Sequence, residues 1–391
     1  MKFDACIVGC GPSGALSAEA LASRGYKTAI FEEHSNIGLP NHCAGLVSVK
    51  GLDRLGIDPV QDFIQNKVLG GRIYSPDGDF IEIKDSKPKA FVIDRTSFDS
   101  YLTERAEDVG ALLYKNTHVN KLHKHKIETN NSSYETKLVI DAEGAGGRLL
   151  LRSGYNYCPP RLITGFNSEV DNVEVDPELV EIWFGEGLAK DFFAWVIPVS
   201  EDRARVGLGT SSEDGFEKLM KFIKRRFNKK SHSTIRAGQI CTGGPVRKTV
   251  YENTLLVGDV AGQVKATTGG GVVIGGLCAK IAGEVAADHL AGETSLSNYE
   301  RLWRNEYGFE LKTMCRLRSV LNGLDDDRFD SIFHSLKMER IEDRLQHLLE
   351  TGDIDMQSGV IRNALLDSKI LSVLIRGLGR MALSGLFSLF R

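Results

Sequence analysis

The sequence predicts an α/β fold of composite, α+β character, built from a nucleotide-binding domain, an inserted antiparallel sheet and a helical C-terminal region. Three observations predict it. An apolar strand, Ala5 to Val8, enters the glycine-rich turn Gly9-Cys10-Gly11-Pro12-Ser13-Gly14 and then a helix-like stretch ending at Arg24. Between Pro159 and Pro245 the texture changes to alternating apolar and polar residues, the period of strands with one buried face. From Leu296 to Arg391 the pattern is mostly helical.

The first observation is the most informative. Eighteen residues after Gly14, a second apolar strand, Thr28 to Phe31, ends at Glu32. Strand, Gly-x-Gly-x-x-Gly, helix and acid in this register form the Rossmann-like dinucleotide fingerprint. Gly9 permits the tight turn, Gly11 lets a pyrophosphate approach the backbone, and Gly14 lets helix and strand pack closely. Pro12, Ser13, Gly14 and Ala15 open the helix, whose free N–H groups suit phosphate. Glu32 is placed to accept hydrogen bonds from ribose hydroxyls, with Glu33 beside it.

Further along, a loop carries His42-Cys43-Ala44-Gly45. Cys43 reads either as a small core residue or as a thiol working next to the nucleotide site. Leu52 to Ile64 is expected to be a helix and Lys67 to Ile83 a hairpin turning at Pro76-Asp77-Gly78. Ala90 to Ile93 should be a strand running into Asp94-Arg95 and a helix, Thr96 to Val109. The polar stretch from His123 to Glu135 reads as a hairpin, and Leu138 to Gly144 as another buried strand entering a turn. In the alternating region, Phe193, Trp195 and Ile197 share one strand face, which either fills the sheet core or lines a ligand cavity. A charged helix, Phe216 to Phe227, is inserted there; its basic run from Lys221 to Lys230 is a solvated face or a docking patch for an acidic protein. Thr254 to Asp259 is again a strand ending in Gly-Asp, and Gly269-Gly270-Gly271 precede a helix from Val272 to Leu290. The expected domains are therefore residues 1–158 with 246–295, residues 159–245, and residues 296–391.

Composition bounds the function. The chain has 391 residues, 42% hydrophobic and 26% charged, with net charge −3, so no basic field suggests nucleic acid. Seven Cys at irregular spacings argue for a reducing compartment over a disulfide framework. No apolar run reaches membrane-span length, and the N-terminal apolar run is the first strand, not a signal peptide. A cytoplasmic location is expected. The segment Lys369 to Arg391 carries basic residues and no acid among many apolar ones, which fits a core helix or a helix lying on anionic lipid at the cytoplasmic membrane face. No metal site is expected.

Taken together, the N-terminal fingerprint, the single nucleotide motif, Asp141-Ala142-Glu143-Gly144, the inserted sheet and the late Val257-Gly258-Asp259 occur in an order that resembles the FAD-binding fold of the p-hydroxybenzoate hydroxylase superfamily. Within it the chain is most similar to the geranylgeranyl reductase family, including archaeal digeranylgeranylglycerophospholipid reductases. The likeness rests on Gly9 to Gly14, Glu32, Cys43, Asp94-Arg95 with Phe98-Asp99, Gly258-Asp259, Thr268 to Gly271 and Leu324 to Asp327. The family's sheet motif of Tyr-x-Trp-x-Phe-Pro-Lys and a later Gly-x-Gly reads here Phe193-Ala194-Trp195-Val196-Ile197-Pro198-Val199 and Gly207-Leu208-Gly209, with its polar handles replaced by apolar residues.

The resemblance implies an FAD-dependent oxidoreductase that saturates isolated double bonds of a geranylgeranyl chain, on an archaeal ether lipid, by hydride transfer from reduced flavin. It implies that Gly9, Gly11, Gly14 and Ala15 contact the pyrophosphate, that Glu32 binds the adenosine ribose, and that Val119 lies by the adenine. It further implies that Arg95 and Asp259 serve the ribityl and phosphate region, that Gly271 and Val272 offer N–H groups to the flavin edge, and that Gly269 and Gly270 beside them allow the cofactor a close approach to the backbone. Cys43, the assigned catalytic residue, lies with Ala44 and Gly45 by the ring or the substrate. Trp183, Phe193, Trp195 and Ile197 are the expected substrate lining. Glu143 stands where related hydroxylases have the Asp of a motif associated with NAD(P)H use, so ferredoxin, another reduced carrier and NAD(P)H all stand as electron donors. Two other functions fit the same fold: a flavin monooxygenase or halogenase, favoured by the half-motif Trp195-Val196-Ile197-Pro198, and a membrane-surface flavoprotein that carries electrons.

Overall fold

The computed structural model describes residues 1–60, 62–228, 234–339 and 341–387. The chain divides into two compact units, each built from three stretches: residues 1–41, 95–162 and 241–312, and residues 42–94, 163–240 and 313–391.

The first unit holds a mixed sheet whose central strands are parallel, with the fingerprint strand, Lys2–Val8, in its interior. Ser133–Asp141 pairs with it on one side and Thr28–Phe31 on the other, both parallel, with Ile7 opposite Ile140 and Ile30. Thr254–Leu256 and Leu112–Tyr114 extend the parallel run outward. The central stretches of these strands are apolar because both faces are covered there; Cys6, Ile7, Ala29, Ile30, Val139 and Ile140 are all fully buried. The predicted hairpin is present as Lys126–Thr129 against Ser133–Asp141. The fingerprint helix, Pro12–Ala22, packs against the helix Val272–Leu290, whose predicted bounds are met. The two approach so closely that a Cβ on Gly283 would lie 2.6 Å from the Ala20 Cβ and 2.8 Å from the Ser17 carbonyl oxygen.

The second unit holds the antiparallel sheet. Its central strands, Leu162–Asp171, Arg203–Thr210, Ala194–Pro198 and Leu179–Trp183, pair in that order. Gly70–Tyr74 joins Leu179–Trp183 in parallel and brings its hairpin partner Phe80–Lys84. That pairing groups residues 42–94 with the sheet unit, where the sequence had placed them with the nucleotide-binding strands. One face of the sheet is covered by the helix Gly215–Phe227, around Ala194, Val196, Leu208, Leu219 and Phe222. The hairpin packs through Ile81 and Ile83 against the C-terminal helices, including Ile332, Phe333, Ile370 and Val373. The start of the basic C-terminal segment is therefore core, and a Cβ on Gly377 would lie 2.2 Å from Ile332 Cγ1. The side chains of residues 378–391, and with them the rest of the lipid-facing alternative for Lys369 to Arg391, lie outside the described residues.

One element departs from expectation. The helix expected over Leu52 to Ile64 runs only from Val49 to Leu55, because Gly56 adopts the left-handed C-cap conformation (φ 66°) and ends it. Ile64–Val68 is a strand paired with Ala90–Ile93. Among the described residues no helix is long and apolar enough to cross a membrane.

Candidate active site

In the first unit the fingerprint residues form an open cradle. Gly9 has φ of 90°, and a Cβ there would lie 2.6 Å from the Ala142 carbonyl oxygen. A Cβ on Gly14 would lie 2.0 Å from the Gly9 carbonyl oxygen. Both positions therefore need glycine for packing alone. Gly11 is different: a Cβ there would meet no atom within 4 Å, so it faces open space. Gly11 is the N-cap and Pro12 opens the helix; Pro at this place costs no hydrogen bond, since first-turn N–H groups have no partner within the helix. Ser13 is wedged between Gly258 and Gly275, its Oγ 2.6 and 3.0 Å from where their Cβ atoms would be. Its carbonyl accepts from Ser17 Oγ at 2.6 Å.

Glu32 stands at the tip of its strand, with Oε2 accepting from the Cys10 N–H at 2.9 Å and Oε1 accepting from the His34 N–H at 2.9 Å. The loop thus orients the carboxylate before any ribose arrives. Glu33 is exposed and contacts His118 Nδ1 at 2.8 Å. Val119 buries its side chain in the core of this unit, 3% exposed.

Arg95 opens a helix, Arg95–Asp108, and grips Asp99 with two hydrogen bonds of 2.9 and 2.7 Å. Burial pushes the Asp259 carboxyl up from its ordinary range, and the positive charge of Arg95 acts in the opposite direction. A Cβ on Gly271 would lie 2.6 Å from Asp259 Oδ1, so the carboxyl rests against that glycine. The loop before Gly271 is closed by hydrogen bonds from the Gly269 N–H to the Lys265 carbonyl (2.7 Å) and from the Lys265 N–H to the Gly270 carbonyl (3.1 Å). Gly271 is the N-cap of the helix that begins at Val272, so two helix N-termini belong to this unit's glycine loops. Open space at Gly11, pre-oriented Glu32 and these N–H groups fit a dinucleotide such as FAD.

Several residues of this cradle were not expected. Gln263 is buried, accepts from the Gly258 N–H at 2.9 Å and donates to Tyr299 Oη at 2.8 Å, while Tyr299 donates to the Leu256 carbonyl at 2.7 Å. This chain fixes the Gly258-Asp259 turn. A second polar residue after Asp259 in the otherwise apolar and glycine stretch from Val257 to Val264 was its trace in the sequence. Glu143 is occupied locally: its Oε1 accepts from the Leu149 N–H at 2.8 Å.

In the second unit, Phe193, Trp195 and Ile197 lie together in one buried cluster with Val68, Val92 and Ile163, and Ala194 and Val196 lie in the other, under the helix. The shared face is as expected. Trp183 is elsewhere. It packs in the helix-covered cluster, stacks on Tyr74 with ring centroids 3.6 Å apart, and donates to Glu181 Oε2 at 2.9 Å. Its own strand alternation puts it on the opposite face from Trp195. The Gly-x-Gly of the sheet now has a reason: a Cβ on Gly207 would lie 2.4 Å from Trp195 Cζ2, and one on Gly209 would lie 2.6 Å from Phe192 Cδ1. The two glycines make room for the rings.

Phe193 continues toward Phe184 and Phe192, which line a cavity of about 220 Å³ with Leu321, Phe329 and Arg318. The Arg318 guanidinium lies over Phe192 and Phe193 at 4.6 and 5.8 Å, and burial pushes its pKa down to about 10. Asp325 and Asp326 of the Leu-Asp-Asp-Asp motif are structural here. Asp325 caps the helix Asp326–Met338 by accepting from the Arg328 N–H, and Asp326 accepts from the Glu186 N–H at 2.7 Å.

The Cys43 loop belongs to this second unit. Cys43 Sγ accepts from the Gly45 N–H at 3.4 Å, and Gly45 holds φ of 71°. Arg205, 1% exposed, donates to the carbonyls of Ala44 (3.2 Å) and Ile93 (2.8 Å), to Glu169 (2.9 Å) and to Gln65. Asn167 Nδ2 donates to the Cys43 carbonyl at 3.3 Å. Arg205 and Asn167 were missed because a polar residue in an alternating strand reads as outward-facing until the register is known.

A dinucleotide cradle in one unit and an antiparallel sheet in the other suit a nucleotide-dependent oxidoreductase, and comparison with known proteins narrows the class. A family model described as lycopene cyclase protein matches residues 4–354. A digeranylgeranylglycerophospholipid reductase of Methanothermobacter thermautotrophicus is 31% identical over 86% of this chain and 92% of the relative. The chain belongs to the family of these reductases. Its fold matches that of a geranylgeranyl bacteriochlorophyll reductase-like protein of Thermoplasma acidophilum, with a TM-score of 0.82 and 23% identity over 99% of both chains. A myxobacterial chondrochloren halogenase described as FAD-dependent shares the fold at a TM-score of 0.64 and 17% identity over 79% of this chain and 83% of its own.

Proposed function

We propose that this protein is an FAD-dependent reductase that saturates isolated double bonds in the geranylgeranyl chains of an ether phospholipid. The observation that carries the reading is the pairing, in one chain of this family, of an open glycine cradle with a sheet face of Phe193, Trp195 and Ile197 bordered by the Cys43 loop. When bound, reduced FAD supplies a hydride to one alkene carbon.

The chain's own residues do the rest. Gly9, Gly11, Ser13, Gly14 and Ala15 present the backbone to the pyrophosphate behind Pro12, and Glu32 accepts from ribose hydroxyls with Glu33 nearby. The buried Val119 offers only its backbone to an adenine. Arg95 and Asp259 bind the ribityl and phosphate region. Gly271 and Val272, behind the closed turn of Gly269 and Gly270, give N–H groups that stabilise negative charge. Phe193, Trp195 and Ile197 hold the isoprenoid chain and exclude water. Cys43 Sγ, oriented by the Gly45 N–H, holds the proton for the second alkene carbon. A reduced carrier such as ferredoxin, or NAD(P)H, recharges the system. Residues of Lys369 to Arg391 other than the buried Ile370 and Val373 bring the protein to the lipid surface, a contact that flotation with anionic vesicles would reveal.

The test is anaerobic incubation of the chemically reduced, FAD-loaded protein with a geranylgeranyl ether lipid, read by mass spectrometry. Mass should rise in steps of two hydrogens. An unchanged lipid, or an oxygen-dependent product bearing a hydroxyl or halogen, would overturn the proposal.

A further inference from the structure

We propose that Asn167 is a positioning residue that couples Trp195, on the lipid-lining face, to the backbone of Cys43. The proposal rests on the reading that Cys43 takes part in the reduction, and it adds the device that aims the thiol.

The geometry comes from strand register. Trp195 is directly opposite Gly207, and Gly207 is directly opposite Asn167, so the three form one cross-strand row on one face. Trp195 and Asn167 are thus two strand spacings apart, roughly 10 Å between backbones. Two ordinary side chains so placed would be separated by the side chain between them. Here that side chain is missing. The indole lies across the vacant place at Gly207, and its Nε1 donates to Asn167 Oδ1 at 3.3 Å. Asn167 is 7% exposed and uses its other end as well, donating from Nδ2 to the Cys43 carbonyl at 3.3 Å. These two bonds agree on one amide orientation: the oxygen faces the indole donor and the nitrogen faces the carbonyl.

The adjacent row strengthens the clamp. Ile197, Arg205 and Glu169 are opposite one another in the same way. Arg205 donates to the Ala44 carbonyl, so two consecutive carbonyls, Cys43 and Ala44, are each held by a buried side chain of the sheet. The loop then turns at Gly45, where a Cβ would lie 2.1 Å from Arg205 Nη1. With its backbone fixed on the carbonyl side and its Sγ fixed by the Gly45 N–H, Cys43 has little freedom. A chain seated against Trp195 therefore acts on Cys43 through one side chain, Asn167. The sequence motif that joins Trp195 to Gly207 is explained as the spacing that lets this bridge form.

The experiment uses the full-length, FAD-loaded protein and measures alkylation of Cys43 by iodoacetamide across pH, resolved by peptide mass spectrometry. The exposed Cys158 is the internal reference. Asn167→Leu removes both bonds; Asn167→Asp keeps an acceptor for the indole but loses the donor to Cys43. Both should change the Cys43 rate by about fivefold or more, the scale of one lost hydrogen bond, and shift its pH profile, with Cys158 unmoved. Trp195→Phe should move Cys43 in the same direction by less. Cys43 rates within about twofold of wild type in both Asn167 variants would overturn the proposal. Should Asn167→Leu not fold, Asn167→Asp alone decides. Turnover by Cys43→Ala is measured in parallel. Full turnover in that variant would sink the role of Cys43 in the reduction, while the alkylation series still decides whether Asn167 positions it.

Discussion

Asp141 is a residue whose cost to the fold can be measured. It ends the strand beside the fingerprint strand and is fully buried. Its Oδ1 accepts from the Glu143 N–H at 3.2 Å, and its Oδ2 has no hydrogen-bond partner among the described residues. Burial, with the Glu143 carboxylate nearby, pushes its pKa well above the ordinary carboxylate range. The folded state thus binds a proton that the unfolded chain releases above about pH 4. Stability from this group is present at low pH and falls as pH rises toward the folded value. Asp141→Asn keeps the acceptor and removes the charge. It should leave the melting temperature unchanged near pH 4 and raise it at pH 8, by about 1–2 °C for each kcal/mol relieved in a chain of this size. Equal shifts at both pH values would mean that the carboxyl is not desolvated as the structure shows. The neighbouring Cys10, pushed up to about 12 by burial and in contact with Thr103 Oγ1 at 3.1 Å, stays a thiol over that range and does not confuse the reading.

At the scale of elements, the fingerprint helix and the helix Val272–Leu290 share a contact made by small residues. Gly283 in a helix interior costs about 1 kcal/mol against Ala in intrinsic propensity. Here the close approach to Ser17 and Ala20 reverses the sign. A Cβ at 2.6 Å from Ala20 and 2.8 Å from backbone oxygen forces the helices apart, and overpacking costs about 1–3 kcal/mol. Gly283→Ala should therefore lower the melting temperature, whereas Gly292→Ala, with open space but φ of 82°, tests strain without packing. Elements of this kind were legible in the sequence. The strand-turn-helix around Gly9 and the bounds of the helix Val272–Leu290 follow from local signals, namely apolar runs and glycine punctuation. What stayed hidden depends on partners far along the chain. Parallel pairing of Gly70–Tyr74 with Leu179–Trp183 assigns residues 42–94 to the sheet unit. The facing of Trp183 away from Trp195, and the inward turn of Asn167 and Arg205, follow from register that no local pattern encodes. The short helix ending at Gly56 was readable, since Gly there is a stop signal, and the apolar residues beyond it form a strand instead.

For the whole molecule, cofactor binding and folding are linked, and two glycines of one motif separate them. Gly9 is strained for any other residue and blocked by the Ala142 carbonyl, so Gly9→Ala damages the sheet-to-loop junction whether or not FAD is present. Gly11 has an ordinary φ of −72° and open space where a Cβ would go. In the protein without cofactor, Gly11→Ala should be neutral or slightly stabilising, by about 0.4–1 kcal/mol, because it narrows the unfolded ensemble. The same methyl group would occupy the place proposed for the pyrophosphate. A ligand at a hundred times its dissociation constant stabilises the native state by about 2.7 kcal/mol, so wild type should melt several degrees higher when FAD is added. Gly11→Ala should lose most of that increment while its cofactor-free melting temperature is kept. Gly9→Ala should melt lower in both states. If Gly11→Ala retained the full FAD-dependent rise, the cradle at the fingerprint helix would not be where the pyrophosphate binds. If FAD raised the melting temperature of neither wild type nor Gly11→Ala, the assignment of FAD itself would fall, and with it the flavin chemistry proposed for the sheet face of Trp195.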